Sequence, residues 1–109
     1  MIKYNKAIRD NIPGIIEKTG EKCVVTQLPD VEFLTALEAK LMEELSEYYS
    51  NRSVSELVDL LEVIYRIAEM RGVSQPQLEQ LQASKRALRG GFTKNLFLWE
   101  VSGTPVSDK

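Results

Sequence analysis

The chain has 109 residues and a formal net charge of −2, which predicts a single domain and excludes a global basic field that would recruit nucleic acid. It has no histidine and a single cysteine, Cys23, which excludes Ser–His and Cys–His catalysis, most zinc sites and an internal disulfide. No apolar run approaches the roughly 20 residues of a membrane span, and residues 1–10 lack the apolar core of a signal peptide, so we expect a cytoplasmic protein.

The N-terminal segment is basic and leads into a short helix. Lys6 and Arg9 lie here, and the sequence leaves two interpretations open for them: ordinary solvated surface, or ligands of a phosphate group. Asp10 is a candidate cap for a helix that carries Pro13 in its first turn and ends at Gly20.

Two further segments are expected to be extended. Residues 22–28 (KCVVTQL) are rich in β-branched side chains and predict a strand or an extended edge. Residues 92–101 (FTKNLFLWEV) predict an extended segment that either pairs with residues 22–28 or packs across a partner subunit. Residues 102–109 are expected to form a polar tail beyond a domain that spans residues 1–101.

Two long helices are predicted in the middle of the chain, at about 31–49 and 53–71. Asp30 is a candidate N-cap for the first, and Gly72 is placed to end the second. The polar segment at 50–53 can reverse the chain, so we expect the helices to be antiparallel neighbours.

Each long helix carries acidic residues on its apolar side. Glu44 falls inside the apolar stripe of the first helix with Glu47 at its edge, and Glu56 falls inside the stripe of the second with Asp59 near its border. Carboxylates that face a core repel one another unless a cation lies between them. The pattern therefore predicts a metal site built from oxygen ligands, which favours Mg²⁺ or Mn²⁺.

Two other interpretations of these acids stay open. They could be solvated charges on amphipathic helices. Alternatively, Ser53 and Glu56 have the spacing of a capping box, in which Glu56 would fold back to the start of its own helix and leave Asp59 without a partner.

A third long helix is predicted at 74–89, with Ser74 and Gln77 at the positions of a capping box. Its basic end has two interpretations, stabilisation of the helix dipole or phosphate binding. The residues concerned are Lys85, Arg86 and Arg89.

Several segments together resemble one protein family. EELSE at 43–47 and ELVD at 56–59 are similar to the ExxE…ExxD signature of the MazG-like all-α nucleoside triphosphate pyrophosphohydrolases. YNKAIRDNIP at 4–13 and KRALRGGF at 85–92 resemble a small subgroup described as phosphoribosyl-ATP pyrophosphohydrolase-like. The spacer at 48–55 is shorter than in many members, which leaves less room for a base-recognition loop.

The resemblance implies a helical bundle completed by dimerisation, as a homodimer or a dimer of dimers. It also implies Mg²⁺-dependent cleavage of a nucleoside triphosphate between the α- and β-phosphates. By position, Glu44, Glu47, Glu56 and Asp59 match the metal ligands of the family, and Glu43 matches a supporting acid.

Three other functions remain as alternatives. One is the phosphoribosyl-ATP pyrophosphohydrolase step of histidine biosynthesis. The second is a module that binds a nucleotide without cleaving it. The third is a structural homodimer whose acids form interchain salt bridges with Lys40, Arg52 or Arg66.

Overall fold

Four helices make up the regular structure of the computed structural model, which describes residues 2–103. They are α1 (Ile12–Lys18), α2 (Asp30–Asn51), α3 (Val54–Met70) and α4 (Gln75–Arg89). The predicted all-α class is confirmed for these residues. Of the expected polar tail at 102–109, all but Ser102 and Gly103 lies outside the described residues.

The helix ends agree with the predicted positions to within about two residues, but two of the predicted caps are wrong. Asn11, not Asp10, precedes α1. Asp30 is the first residue of α2 and Pro29 is its N-cap, so the charge of Asp30 acts on the helix dipole instead of capping the helix. The capping box of α4 is confirmed, because the Ser74 N–H donates to Gln77 Oε1 (2.8 Å) and the Gln77 N–H donates to Ser74 Oγ (3.3 Å).

The strand option for residues 22–28 and 92–101 is wrong, since residues 2–103 contain no β-strand, whereas their extended form stays a prediction. Residues 22–28 and 92–101 carry no regular structure apart from a turn near residue 94. Their large side chains lie in the solvent, with Val24 86% and Trp99 85% exposed. A strand pair that buries so little apolar surface is marginal in water.

α2 and α3 form an antiparallel hairpin. The chain reverses at Arg52, whose backbone is left-handed (φ 57°) and whose N–H closes α2 on the Tyr48 carbonyl at 2.7 Å. Away from the reversal, Arg71 Nη2 lies 2.9 Å from Glu38 Oε2, which ties the end of α3 to the first half of α2. The predicted antiparallel arrangement is therefore present.

The N-terminal segment packs onto this hairpin. Ala7 is buried with Leu37 of α2 and Val63 of α3 in the hydrophobic core. A methyl side chain at this position lets the segment lie close to both helices. The residues on either side of Ala7 are thereby held near the acidic part of the hairpin.

The apolar stripes of the long helices are only partly covered. Side chains at spacings of three and four residues lie along each helix and are 40% exposed or more. They are Met42, Leu45 and Tyr49 in α2 and Val54, Leu57, Val58, Leu61 and Ile64 in α3. The hairpin thus presents far more apolar surface than isolated surface residues would.

The described residues group into two units. The first extends to Leu78 and contains the N-terminal segment and the hairpin, and the second begins at Glu79 within α4. The expectation of a single domain stays a prediction. Between residues 2 and 103, no helix combines the length and the apolar character that a membrane span requires.

Candidate functional site

The five predicted acids lie together on the hairpin, within the first unit. Their carboxylate oxygens form two groups, each with atoms within 4.8 Å of one another. Glu43, Glu44 and Glu47 form one group, and Glu44, Glu56 and Asp59 form the other. Glu44 belongs to both, so it is the residue through which α2 and α3 share the cluster.

The position of the chain reversal explains this convergence. Glu47 and Glu56 each lie about one helical turn from Arg52, and Glu44 and Asp59 each lie about two turns from it. In an antiparallel pair, residues at equal distances from the reversal face each other. Two short acidic motifs that are separate in the sequence thus form a single cluster in the structure.

Glu44 is a buried charge with one unsatisfied oxygen. The residue is 6% exposed, and its Oε1 lies 3.3 Å from the ammonium group of Lys40. Its Oε2 is buried and accepts no hydrogen bond. Leaving a buried carboxylate oxygen without a partner costs free energy, because the oxygen has lost its hydration and gained nothing in return.

Glu56 repeats this arrangement on the opposite helix. Its Oε1 accepts a hydrogen bond from Asn51 Nδ2 at 3.1 Å, and its Oε2 is buried without a partner. Two unsatisfied carboxylate oxygens, one from each helix, therefore belong to residues of the same carboxylate group. This arrangement is the main reason to regard the cluster as a binding site and not as a solvated surface.

The capping-box interpretation of Glu56 does not hold. The Ser53 N–H donates to Asn51 Oδ1 at 3.0 Å, and the Ser53 side chain makes no capping hydrogen bond. Asn51 therefore performs both tasks, since it occupies the Ser53 N–H and orients the Glu56 carboxylate. Asn51 was not among the predicted site residues, although an amide at the end of a helix is a known signal for such contacts.

Two of the predicted basic residues reach the cluster. Lys6 Nζ lies 2.9 Å from Glu43 Oε1, and Arg9 Nη2 lies 2.7 Å from Asp59 Oδ1. These ion pairs place both residues beside the acids, and their role as phosphate ligands stays a prediction. Lys85, Arg86 and Arg89 lie in the second unit, and their role in substrate binding stays a prediction.

Lys40 is a further basic residue beside the acids, although its sequence position suggested only a role in interchain salt bridges. Its ammonium group lies 3.3 Å from Glu44 and 3.5 Å from Glu43, and its side chain is only 16% exposed. The spacing of three and four residues along one helix could have identified it.

The charges of the cluster act on one another. The hydrogen bond from Lys6 lowers the pKa of Glu43, with help from Lys40, and the same hydrogen bond raises the pKa of Lys6. Glu47 behaves in the opposite way: the negative charge of Glu44 is the largest of the influences that raise its pKa. The lysines therefore offset the negative charge of Glu43, whereas the negative charges of Glu44 and Glu47 repel each other.

The basic residues considered for interchain salt bridges have partners within the chain. Lys40 pairs with Glu43 and Glu44, and Arg66 Nη1 lies 3.3 Å from Glu69 Oε1. The guanidinium group of Arg52 lies over the Tyr49 ring, 4.9 Å from its centroid. These contacts weaken the case for a purely structural dimer held by the acids.

Comparison of the chain with family models, curated proteins and solved structures gave no match. The functional proposal therefore depends on the residues of the site and on the motifs that they form.

The repulsion at Glu47 gives a testable prediction for the metal-free protein. The pKa of Glu47 is raised in the folded state above its ordinary value. The ionisation of Glu47 therefore lowers the free energy of unfolding as the pH rises from the ordinary pKa to above the raised pKa. Glu44→Gln removes the main cause of that shift, so we expect the pKa of Glu47 to fall. Titration of the side-chain carboxyl carbons by NMR in a chelating buffer measures it.

Glu62→Gln is the matched control, because Glu62 is an exposed acid of α3 that belongs to neither group. It should leave the titration of Glu47 unchanged. An identical Glu47 titration in wild type and Glu44→Gln would contradict the proposed coupling.

Proposed function

We propose that the protein is a Mg²⁺-dependent nucleotide pyrophosphohydrolase that cleaves a nucleoside triphosphate between its α- and β-phosphates. The observation that carries the proposal is the pair of buried, unpartnered oxygens, Glu44 Oε2 and Glu56 Oε2. Glu44 and Glu56 also belong, with Asp59, to one group of carboxylates drawn from two helices.

The chemistry of these donors fits a hard divalent cation. All of the candidate ligands are carboxylates, namely Glu44, Glu47, Glu56 and Asp59, and the chain has no histidine. Oxygen ligands of this kind suit Mg²⁺ and, as the alternative, Mn²⁺. A cation at this position would also satisfy the two orphaned oxygens and reduce the repulsion at Glu47.

When bound, Mg²⁺ would supply charge neutralisation at the phosphates and a lowered pKa for a coordinated water. The chain itself supplies groups that bind the substrate. Lys6 and Arg9 pair with Glu43 and Asp59, at the edge of the cluster, where their charges can turn to a phosphate. Lys40 adds a third positive charge beside Glu44.

The reaction also needs an acceptor for a proton. In the proposed step the oxygen of water attacks the α-phosphorus, the bond from that phosphorus to the bridging oxygen breaks, and pyrophosphate leaves. An acid of the cluster that is not fully engaged with the cation would accept the proton of the water.

The resemblance to the MazG-like pyrophosphohydrolases supports the same reaction. The site residues of the resemblance are the acids that converge on the hairpin, and Lys6 and Arg9 of the N-terminal motif lie beside them. House-cleaning of nucleotides is the role proposed here, with phosphoribosyl-ATP as the alternative substrate.

We further propose that the protein assembles as a homodimer or a dimer of dimers. The buried hydrophobic residues of the described chain are Ala7, Leu37 and Val63, which is a small core for two long helices. The uncovered apolar stripes of α2 and α3 are what a second helical hairpin would bury in a four-helix bundle.

The first prediction from this proposal concerns the products. With Mg²⁺ and a panel of nucleoside triphosphates plus phosphoribosyl-ATP, chromatography should show the monophosphate and pyrophosphate, and a chelator should stop the reaction. Glu56→Gln keeps the shape of the side chain and removes a ligand charge. Losing a metal ligand forfeits several kcal/mol of transition-state stabilisation, so the rate should fall by about a hundredfold or more.

Glu62→Gln, in the same helix, is the control and should retain the wild-type rate. A diphosphate with orthophosphate would refute cleavage between the α- and β-phosphates. Tight nucleotide binding without turnover would instead favour the non-catalytic binding module.

The second prediction concerns assembly. Leu61→Lys places a charge in the uncovered stripe of α3, whereas Val24→Lys places the same charge in an exposed segment outside the helices. Light scattering at micromolar concentration should give wild type and Val24→Lys at two or four times the chain mass of 12.4 kDa. Leu61→Lys should be reduced to a single chain. A fully active wild-type monomer would refute the proposed assembly.

A further inference from the structure

Arg9 of the N-terminal segment forms an ion pair with one of the candidate metal ligands. Its Nη2 donates to Asp59 Oδ1 at 2.7 Å, although the two residues are 50 positions apart in the sequence. Asp59 belongs with Glu44 and Glu56 to the group of carboxylates that is drawn from both helices of the hairpin. We call these three acids the interhelical group. One member of the interhelical group therefore has a positive partner that comes from outside the hairpin.

The oxygens of the interhelical group differ in what they contact. Glu44 Oε2 and Glu56 Oε2 are buried and have no hydrogen-bond partner. Asp59 Oδ1, in contrast, accepts a hydrogen bond from the guanidinium group of Arg9. A cation could therefore contact the two glutamate oxygens without displacing any group, whereas at Asp59 it meets a positive charge.

The backbone of Arg9 is held in place, but its side chain has room to move. Ala7, two residues earlier, is buried in the core, and the Arg9 carbonyl accepts a hydrogen bond from the Ile12 N–H at 3.1 Å. The Arg9 side chain itself is 52% exposed. Exposed side chains change rotamer rapidly, so the guanidinium group can leave Asp59 for the solvent while the segment stays packed.

The two basic residues of the segment that reach the acids act on different parts of the cluster. Lys6 Nζ lies 2.9 Å from Glu43 Oε1, and Glu43 is not a member of the interhelical group. Arg9 pairs with Asp59, which is a member. Arg9 is therefore the residue of this pair that offsets the charge of the interhelical group directly.

A positive group bonded to a ligand carboxylate opposes the binding of a metal ion in two ways. It offsets part of the negative charge that the carboxylate offers, and its own charge repels the cation. The neutral amide of Asn51, which donates to Glu56 Oε1 at 3.1 Å, has neither effect. Arg9 and a cation consequently compete for Asp59.

We propose that Arg9 is a counter-ion built into the metal site, which a divalent cation displaces from Asp59 when it binds. This inference rests on the proposed function. Arg9 stabilises the acids in the metal-free protein, and for the same reason it lowers the affinity of the site for Mg²⁺. The site then fills at a higher concentration of Mg²⁺ than the acids alone would require.

Titration calorimetry with Mg²⁺ alone, at constant ionic strength, compares three variants with wild type. Arg9→Gln removes the positive charge, and Arg9→Lys keeps it. Arg71→Gln is the matched control, because Arg71 Nη2 also forms an ion pair, 2.9 Å from Glu38 Oε2, with a side chain that is 58% exposed. Glu38 belongs to neither carboxylate group. Arg71 follows Asp59 by twelve residues, about 18 Å along a helix axis, which exceeds the screening length at physiological salt.

We expect Arg9→Gln to bind Mg²⁺ about two- to fivefold more tightly than wild type, which is the effect of losing one competing exposed ion pair. Arg9→Lys should lie closer to wild type than to Arg9→Gln, and Arg71→Gln should match wild type. Thermal melting in chelator checks that all variants are folded.

Three results would overturn the inference. Equal Mg²⁺ affinity in wild type and Arg9→Gln would show that no competition takes place. Weaker binding by Arg9→Gln would show that Arg9 orients Asp59 as a ligand instead of competing for it. Equally tight binding by Arg9→Gln and Arg9→Lys would show that the positive charge is not the cause.

The outcomes separate this inference from the proposed function. If Arg9→Gln binds Mg²⁺ more tightly as expected while wild type hydrolyses no nucleotide, the counter-ion is supported and the hydrolase proposal fails. If wild type hydrolyses a nucleoside triphosphate but has the same Mg²⁺ affinity as Arg9→Gln, the hydrolase proposal stands and the counter-ion fails. Mg²⁺ binding that is absent from wild type and Arg9→Gln alike overturns both.

Discussion

The burial of the Glu44 carboxylate is the constraint on which the rest of the site depends. Removing an ionised carboxylate from water costs several kcal/mol, and a single ion pair with Lys40 satisfies only one of its two oxygens. Glu56, on the facing helix, has the same deficit. The hairpin keeps both residues in place because the packing of Leu37 and Val63 fixes α2 against α3, so the two unsatisfied oxygens cannot simply move apart into solvent.

The N-terminal segment provides the counter-charges. Ala7 anchors the segment in the core. From there Lys6 reaches Glu43 of α2 and Arg9 reaches Asp59 of α3. Acids that would hold a cation and basic groups that would hold phosphate are thus positioned by one packing contact. In the proposed function, these are the two kinds of group that a complex of a cation with a polyphosphate requires.

Local patterns predicted the helices and the acids of the site, because apolar spacing and caps such as Ser74 and Gln77 act over a few residues. Contacts between distant residues could not be predicted in this way. The pairing of Arg9 with Asp59 spans fifty residues and exists only once the hairpin has formed. Glu56 does not cap its helix, because the Ser53 N–H that a capping glutamate would accept from donates to Asn51 instead. Residues 22–28 had the composition of a strand, but strand formation depends on a partner, which these exposed side chains do not have.

Thermal unfolding of wild type and Glu44→Gln, each with chelator and with Mg²⁺, tests the central claim most directly. In chelator the variant should melt no lower than wild type, because it loses a buried charge at nearly constant shape. Mg²⁺ should stabilise wild type by about 2.7 kcal/mol at a hundredfold excess over the dissociation constant, and the variant should lose most of that gain. Equal responses to Mg²⁺ in the two proteins would remove Glu44 from the site and contradict the account.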